Sequence, residues 1–259
     1  MELIDAHCHL TYDVLIADLE AVLERSRAAR VNRWVAIGTD IEHSQKAIAL
    51  AQCHKGLYAT VGYHPHDAKA VDDTVIETLK SLAGNDKVVA MGETGLDFHY
   101  DFSPRADQEQ AFKQQLTLAV DLSLPVIIHT REAFAETLAV LEPFRSDLDH
   151  VVLHCFTGTE NEAQEALDRG YWISFSGVIT FKKADAIRRA AKRVPLDRLM
   201  IETDSPYLSP EPMRKQKVNE PSLLIHTARF LANLLDISIE ELAHTTVQNT
   251  LRFYGISPE

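Results

Sequence analysis

The sequence predicts an α/β protein folded as a TIM barrel, (β/α)8, because strand-like and helix-like segments alternate along its whole length. Eight short runs rich in β-branched, aliphatic and aromatic residues recur in the 259 residues, with segments of helical period between them. The runs start roughly 20 to 37 residues apart, the length needed for one strand, one crossover helix and two loops. A doubly wound sheet with a small second domain would alternate in a similar way. The barrel is preferred because ligand-type residues follow one end of the strands.

The strands are assigned in order from their apolar residues. Three of them contain continuous apolar stretches, as expected for parallel strands buried on both faces: Val88–Gly92, Pro125–His129 and His150–His154. The other five predicted strands are Leu3–His7, Arg33–Ile37, Leu57–Gly62, Tyr171–Phe175 and Leu199–Glu202. Trp34 and Trp172 fall within strands, so we expect them in the core and not at the rim as a platform for stacked bases.

The helix boundaries follow from capping residues. Asp40 is placed to cap a helix through Cys53, and Ser103–Pro104 supplies a cap and an N1 proline for a helix through Leu122. Two capping boxes are predicted, at Thr159–Glu162 and Ser238–Glu241. Since no linker or low-complexity stretch interrupts the series, we expect a single barrel domain over residues 1–259.

The composition excludes several protein classes. With 46% hydrophobic and 25% charged residues the chain is neither disordered nor a small disulfide scaffold, and 26 Lys and Arg against 38 Asp and Glu give a net charge of −12. An overall field of this sign repels polyanions, so a basic nucleic-acid coat is excluded. A protein of this charge that acts on nucleic acid must attract phosphate locally, through a metal ion or a small basic patch.

The cysteines and the N-terminus indicate the compartment. Cys8, Cys53 and Cys155 contain no C-x-x-C pair and are odd in number, which favours reduced, buried thiols in a reducing compartment. The chain begins without a basic segment followed by an apolar run, and no apolar stretch has membrane-spanning length. We therefore expect a soluble cytoplasmic protein with no membrane association and no obligate protein partner.

Six of the predicted strands end in side chains that can bind a metal ion. They are His7 and His9 at the first strand, His64 at the third, Glu93 at the fourth, His129 at the fifth, His154 at the sixth, and Glu202 and Asp204 at the eighth. A single histidine of this kind is most often structural. In a barrel, however, all carboxyl ends of the strands meet at one rim, so the positions become one cluster of imidazoles and carboxylates, as a metal site requires.

The number of these residues indicates more than one ion. His7 and His9 are two apart and point the same way in a strand, while Cys8 points away and is expected to pack in the core. Four histidines and two carboxylates exceed the needs of one tetrahedral ion, and a carboxylate such as Glu93 can bridge two ions about 3.5 to 4 Å apart. The pattern favours a hydrolase with two metal ions.

Seven collinear segments carry these residues and their neighbours. They are DAHCHL (5–10), HPHDA (64–68), GETGLD (92–97), PVIIHTR (125–131), LHCFTG (153–158), ETDSPYL (202–208) and NEP (219–221). Together they resemble the TatD-like metal-dependent deoxyribonucleases, a branch of the amidohydrolase superfamily. The opening Asp-x-His-x-His alone is shared by that wider superfamily, but the complete set is specific.

The resemblance implies a TIM barrel, divalent metal ions and hydrolysis of phosphodiesters. His7 and His9 would then bind one metal, His129 and His154 the other, and Glu93 would be shared by both. Asp204 would be a ligand that also handles a proton. The resemblance makes Glu93, Asp204 and Glu202 the candidate catalytic residues, with Glu202 as a proton-handling partner.

The residues at the rim are compatible with more than one substrate and more than one metal ion. Candidate phosphate contacts are His64, Arg131, Arg214 and Lys217. Imidazole ligands favour zinc or manganese, whereas the nuclease activity of the family is associated with magnesium. A rim with few basic residues suits a single-stranded DNA end and exonuclease cleavage. The alternatives are a metal-dependent deacylase or amidohydrolase, such as a D-aminoacyl-tRNA deacylase, and a non-enzymatic barrel.

Overall fold

Eight parallel strands form one sheet in chain order. In the computed structural model, which describes residues 1–258, they are β1 (Leu3–Cys8), β2 (Val31–Ala36), β3 (Leu57–Val61), β4 (Val88–Asp97), β5 (Val126–Arg131), β6 (Val151–Leu153), β7 (Trp172–Phe175) and β8 (Leu199–Ile201). The two edges of the sheet meet at the carboxyl ends of β1 and β8, where the Asp204 N–H donates to the His7 carbonyl at 3.0 Å and the His9 N–H donates to the Ser205 carbonyl at 2.8 Å. The predicted TIM barrel is thereby confirmed.

Helices alternate with the strands and cover the outside of the barrel. They are α1 (Asp13–Ile16), α2 (Leu19–Ala28), α3 (Ile41–Cys53), α4 (Asp73–Ala83), α5 (Arg105–Leu122), α6 (Phe134–Leu141), α7 (Glu160–Asp168), α8 (Asp185–Ala191), α9 (Leu224–Leu235) and α10 (Ile239–Tyr254). Within residues 1–258, no single helix is long and apolar enough to cross a membrane, and one pair, Pro221–Leu235 with Ile239–Tyr254, meets those criteria only jointly, with a bend of 111° between its halves.

The caps at Asp40 and Thr159 form as predicted, and the cap at Ser103 does not. Ser238 accepts the Glu241 N–H at 3.1 Å at the start of α10, which is half of the predicted capping box. Asp40 accepts the His43 N–H at 2.6 Å at the start of α3, and Thr159 forms a complete capping box with Glu162 at the start of α7. The prediction for Ser103 is wrong by one residue, since Pro104 is the N-cap of α5. The Ser103 hydroxyl instead accepts the Lys69 N–H at 3.1 Å and donates to the carbonyl oxygen of His66 at 2.7 Å. The Ser103 side chain therefore links the loop after β4 to the loop after β3.

Strand β4 extends beyond its predicted end at Gly92. Its ladder with β5 continues through the pairs Gly95 with His129 and Asp97 with Arg131. Gly95 has a φ of +140°, and a Cβ atom there would lie 2.0 Å from the His129 carbonyl oxygen. Only glycine allows the two backbones to approach so closely. The extension brings Asp97, which follows the apolar part of the strand, to the carboxyl rim.

Apolar side chains fill two clusters. The larger cluster lies between the strands and the helices and contains the fully buried Trp34 and Phe112. The smaller cluster fills the barrel interior, where strand residues such as Ile127 pack with Trp172 and with Phe253 of α10. Both tryptophans are thus buried in the core, as predicted.

The cysteines are free thiols in different environments. Cys8 is buried, and its Sγ donates to the Val35 carbonyl at 3.4 Å, so this side chain packs against β2 as expected. Cys155 is half-buried. The expectation of buried thiols is wrong for Cys53, which is exposed because it is the last residue of the surface helix α3.

Candidate metal centre

Four side-chain atoms from three strands converge at the carboxyl end of the barrel. The Nε2 atoms of His7 and His9 are 3.3 Å apart, and they lie 3.7 and 3.2 Å from Asp204 Oδ1. The same two nitrogens lie 3.4 and 3.7 Å from Glu93 Oε2. Ligand atoms bound at 2.0–2.1 Å to a tetrahedral ion are about 3.3 Å from one another. His7, His9 and Asp204 therefore have the spacing of a single metal site, and Glu93 Oε2 lies within 3.7 Å of both imidazole nitrogens.

The other oxygen of Glu93 faces a second group of imidazoles. Glu93 Oε1 lies 2.9 Å from His129 Nδ1, 2.8 Å from His154 Nε2 and 3.4 Å from His64 Nε2. His129 Nδ1 and His154 Nε2 are 3.5 Å apart. One carboxylate thus lies between two sets of ligand-type atoms, as a bridging ligand does. We refer to the candidate ligand set His7, His9, His64, Glu93, His129, His154 and Asp204 as the metal centre.

The chemistry of these residues fits a cation. Glu93 Oε2 is buried and accepts no hydrogen bond from any of residues 1–258, and the Glu93 side chain is only 3% exposed. A buried carboxylate oxygen without a donor is unfavourable, and a bound cation would compensate it. Two imidazole nitrogens, His7 Nδ1 and His9 Nδ1, are likewise buried without a hydrogen-bond partner in the described chain.

The electrostatics of the metal centre favour an ionised Glu93 and neutral imidazoles at His7 and His64. At His129 and His154 burial opposes protonation, but the adjacent carboxylates outweigh it and raise the pKa. Burial opposes ionisation of Glu93, but the adjacent His154, His64 and His129 hold its pKa well below the usual range. Burial lowers the pKa of His7, and it lowers that of His64 to about 4. These two imidazoles are neutral near pH 7, the state in which histidine binds metals.

Two of the histidines each contact a second carboxylate through the ring nitrogen that faces away from the metal centre. His129 directs Nδ1 to Glu93 and Nε2 to Asp97 Oδ2, at 3.0 Å. His154 directs Nε2 to Glu93 and Nδ1 to Glu202 Oε1, at 3.2 Å. Glu202 in turn accepts a hydrogen bond from the Ser174 hydroxyl. Such carboxylate–histidine pairs fix the tautomer and the ring orientation of metal ligands.

The predicted phosphate contacts lie in different places. His64 lies beside the other ligand-type residues at the rim, with its Nε2 3.4 Å from Glu93 Oε1. Arg131 is exposed at the end of β5, with its guanidinium carbon 4.7 Å from the centre of the Tyr100 ring. Arg214 and Lys217 are exposed in the segment after β8, and the guanidinium of Arg214 lies over the Phe181 ring, which accounts for its position.

Three residues near the metal centre were not predicted. Asp97 joins His129 to His66, whose Nε2 lies 2.9 Å from Asp97 Oδ2. Tyr100 and Phe102 follow in the same loop, and their rings contact His66. The available signal was the aromatic density of the segment DFHYDF at residues 97–102.

The comparisons with known proteins agree with this geometry. The family model described as TatD related DNase matches residues 4–255. The chain belongs to the TatD family. The similarity to individual proteins also extends over nearly the whole chain. It is 41% identical to the 3'-5' ssDNA/RNA exonuclease TatD of Cronobacter sakazakii, over 96% of this chain and 97% of that protein.

Other members of the TatD family show the same coverage. The chain is 37% identical to the uncharacterized metal-dependent hydrolase YabD of Bacillus subtilis, over 98% of this chain and all of that protein. The crystal structure of YJJV, a TatD homolog from Escherichia coli K12, superposes with a TM-score of 0.93 at 30% identity and covers 98% of both chains. These relatives confirm the TatD resemblance, the barrel and the prediction of a metal-dependent hydrolase of the nuclease type.

Proposed function

We propose that the chain hydrolyses phosphodiester bonds at single-stranded ends of DNA and uses two divalent cations held by the metal centre. The observation that carries this proposal is the position of Glu93, whose two oxygens face separate groups of ligand-type atoms. Support for the substrate comes from relatives at about the same length that are named ssDNA/RNA exonucleases.

The roles of the residues follow from their positions. His7, His9, Glu93 and Asp204 would hold one cation, and Glu93 with His129 and His154 would hold the other. When bound, the two cations would lower the pKa of a water molecule and neutralise charge on the phosphoryl group. The ligand set is rich in imidazole, which favours zinc or manganese over magnesium.

Asp204 is the candidate for moving the proton of the attacking water. Its side chain is 14% exposed, whereas those of Glu93 and Glu202 are 3% and 1% exposed. Burial opposes its ionisation, but the hydrogen bond from His9 lowers the pKa of Asp204, so a carboxylate is present near pH 7 to accept a proton. Glu202 is placed to orient His154 rather than to meet the substrate, because it contacts the ring nitrogen that faces away from Glu93.

Phosphate binding is assigned to local positive groups, since the net charge of −12 repels a polyanion at long range. Arg131 is exposed at the end of a strand that also carries His129 of the metal centre. Arg214 and Lys217 would contact phosphates further along the strand. For each phosphate contact removed, the salt dependence of binding to single-stranded nucleic acid should fall by about 0.7 in log–log slope.

We place the activity in a reducing compartment such as the cytoplasm. The support is that Cys8, Cys53 and Cys155 are all free thiols in the described chain, including the exposed Cys53.

The test is hydrolysis of end-labelled single-stranded DNA and RNA by protein loaded separately with zinc, manganese or magnesium. We expect release of nucleotides from an end, and a loss of about 10²–10⁴-fold in rate on Asp204→Asn. The matched control is Asp197→Asn, which removes an exposed carboxylate outside the metal centre and should retain the activity. The proposal is wrong if no metal-loaded form cleaves nucleic acid. Cleavage of an aminoacyl ester instead would establish the deacylase alternative.

A further inference from the structure

Two aromatic side chains stand exposed on the loop that follows β4. Tyr100 is 48% and Phe102 57% exposed. Their rings are stacked, with centres 5.2 Å apart and an angle of 19° between the planes. Because the rings stack on each other, their inner faces are covered, and the outer face of Phe102 with the exposed ring edges forms an apolar surface that water solvates poorly.

This pair is continuous with the metal centre. The ring of His66 lies edge-on to both, with centres 4.9 Å from Phe102 and 5.4 Å from Tyr100. On its other side, His66 lies 4.3 Å from the ring of His64, again measured between centres. A ligand in contact with the pair would therefore be one or two side chains away from the metal centre.

The loop is held by hydrogen bonds to the buried Asp97 carboxylate and to Lys69, so the rings are positioned before any ligand arrives. Asp97, which is fully buried, accepts the Tyr100 N–H at 2.9 Å through Oδ1, while its Oδ2 is 3.0 Å from His129 Nε2. The Lys69 ammonium donates to the Phe102 carbonyl at 3.3 Å. A binding surface ordered in advance loses little conformational entropy on association.

One cation, Arg131, lies directly over the ring of Tyr100. Arg131 lies with its guanidinium carbon 4.7 Å from the centre of the Tyr100 ring, and its side chain is exposed. An aromatic surface beside an arginine suits a ligand with a flat π-system and a neighbouring negative charge. A nucleotide in a single strand has both, because its base is unpaired and its phosphate is ionised.

We propose that Tyr100 and Phe102 form a base-stacking platform that holds one unpaired nucleobase of single-stranded nucleic acid, with Arg131 on an adjacent phosphate. This inference rests on the proposed function for the identity of the ligand. Every base has a π-face, so the platform discriminates little between bases. It does discriminate against duplex, in which both faces of a base are covered by its neighbours.

The experiment measures binding of a labelled single-stranded oligonucleotide by fluorescence anisotropy, in the Asp204→Asn background so that the strand stays intact. Oligonucleotides with normal and with abasic terminal nucleotides are compared. We expect Tyr100→Ala or Phe102→Ala to weaken binding of the normal strand about 5- to 150-fold, the range for one base stacked on an aromatic ring. Abasic strands should bind the protein with intact Tyr100 and Phe102 as weakly as the normal strand binds the alanine variants. The alanine substitutions should not weaken binding of abasic strands further.

Matched variants separate stacking from apolar contact. Tyr100→Leu and Phe102→Leu keep an apolar side chain without a π-face and should bind as weakly as the alanine variants. Phe102→Trp should restore binding to within about threefold of the original. Lys80→Ala, which removes an exposed cation from α4, controls for general charge and should not alter the difference between normal and abasic strands.

The outcomes separate this inference from the proposed function. Nucleic-acid cleavage with equal binding of normal and abasic strands would refute the platform and leave the nuclease. Base-dependent binding without cleavage under any metal would refute the nuclease and leave the platform. Leucine variants that bind as tightly as the aromatic originals would also refute stacking. A change from dimer to monomer on Phe102→Ala, seen by light scattering without loss of base-dependent binding, would assign the aromatic pair to a second copy of the chain instead.

Discussion

Asp97→Asn should weaken metal binding although Asp97 is not itself a candidate ligand. The Asp97 carboxylate is fully buried, and its Oδ2 lies 2.9 Å from His66 Nε2 and 3.0 Å from His129 Nε2. Burial opposes protonation of His129, but the bond to Asp97 outweighs that effect and, with Glu93, raises its pKa. The carboxylate can only accept, so it requires a proton on His129 Nε2. The lone pair of Nδ1 is then directed to the metal centre.

Asparagine has nearly the same shape as aspartate, but its NH₂ group donates a hydrogen bond where the carboxylate oxygen accepts one. The backbone N–H groups of His99 and Tyr100 both donate to Asp97 Oδ1, at 3.0 and 2.9 Å, so the amide oxygen of an asparagine takes that side. Its NH₂ group then faces His129 Nε2 and favours a proton on Nδ1, the nitrogen that would bind the metal. Loss of an outer partner of this kind costs about 10- to 100-fold in metal affinity, or about 1.4–2.7 kcal/mol.

The assay is competition for zinc against a chromogenic chelator, in the absence of nucleic acid. The matched control is Glu132→Gln, which changes the carboxylate partner of an exposed rim histidine, His99, at 2.7 Å. We expect a change of less than about twofold there, because exposed pairs contribute little. Equal zinc affinity of Asp97→Asn and the original protein would refute the tautomer argument.

Three further predictions concern stability and ligand identity. Gly95→Ala should destabilise the fold by about 2–4 kcal/mol in urea unfolding, since its Cβ would meet the His129 carbonyl; an unchanged midpoint would contradict this. Cys8→Ala should cost about 1 kcal/mol and keep the full metal content, whereas loss of metal would make Cys8 a ligand. Burial opposes ionisation of Glu220, but the half-exposed Arg25 lowers its pKa below 4.5. This stabilisation is present above about pH 4.5 and lost as the pH falls through the folded-state pKa. Arg25→Ala should thus cost about 0.5–1 kcal/mol at pH 7, because solvent screens the half-exposed guanidinium, and less at pH 3; an equal cost at both would contradict it.

The sequence was sufficient for the barrel and for the convergence of the ligand-type residues. Continuous apolar runs marked β4, β5 and β6, and the rule that parallel strands share one carboxyl edge brought distant positions such as His7 and Asp204 together. Their atoms do lie 3.7 Å apart. Whether these residues bind metal ions stays a prediction.

The finer parts of the site depend on backbone geometry that residue types do not encode. The apolar run of β4 ends near Gly92, but strand pairing continues over the polar segment that includes Asp97. Asp97 therefore lies beyond the predicted end of the strand. The phosphate contact of His64 stays a prediction, and the turn after β3 places its Nε2 3.4 Å from Glu93 Oε1, a position that the sequence does not specify. The rings of Tyr100 and Phe102 required the path of a loop, which no periodicity describes.

The central claim is that Glu93 is shared by two cations. It is tested most directly by the metal content of the protein and of Glu93→Ala after reconstitution with zinc, measured by inductively coupled plasma mass spectrometry. We predict about two ions per chain in the original protein and loss of both on Glu93→Ala, because Oε1 and Oε2 face different groups of ligand-type atoms. His129→Ala should remove one ion and leave the other. A single ion in the original protein, or two ions retained in Glu93→Ala, would contradict the account.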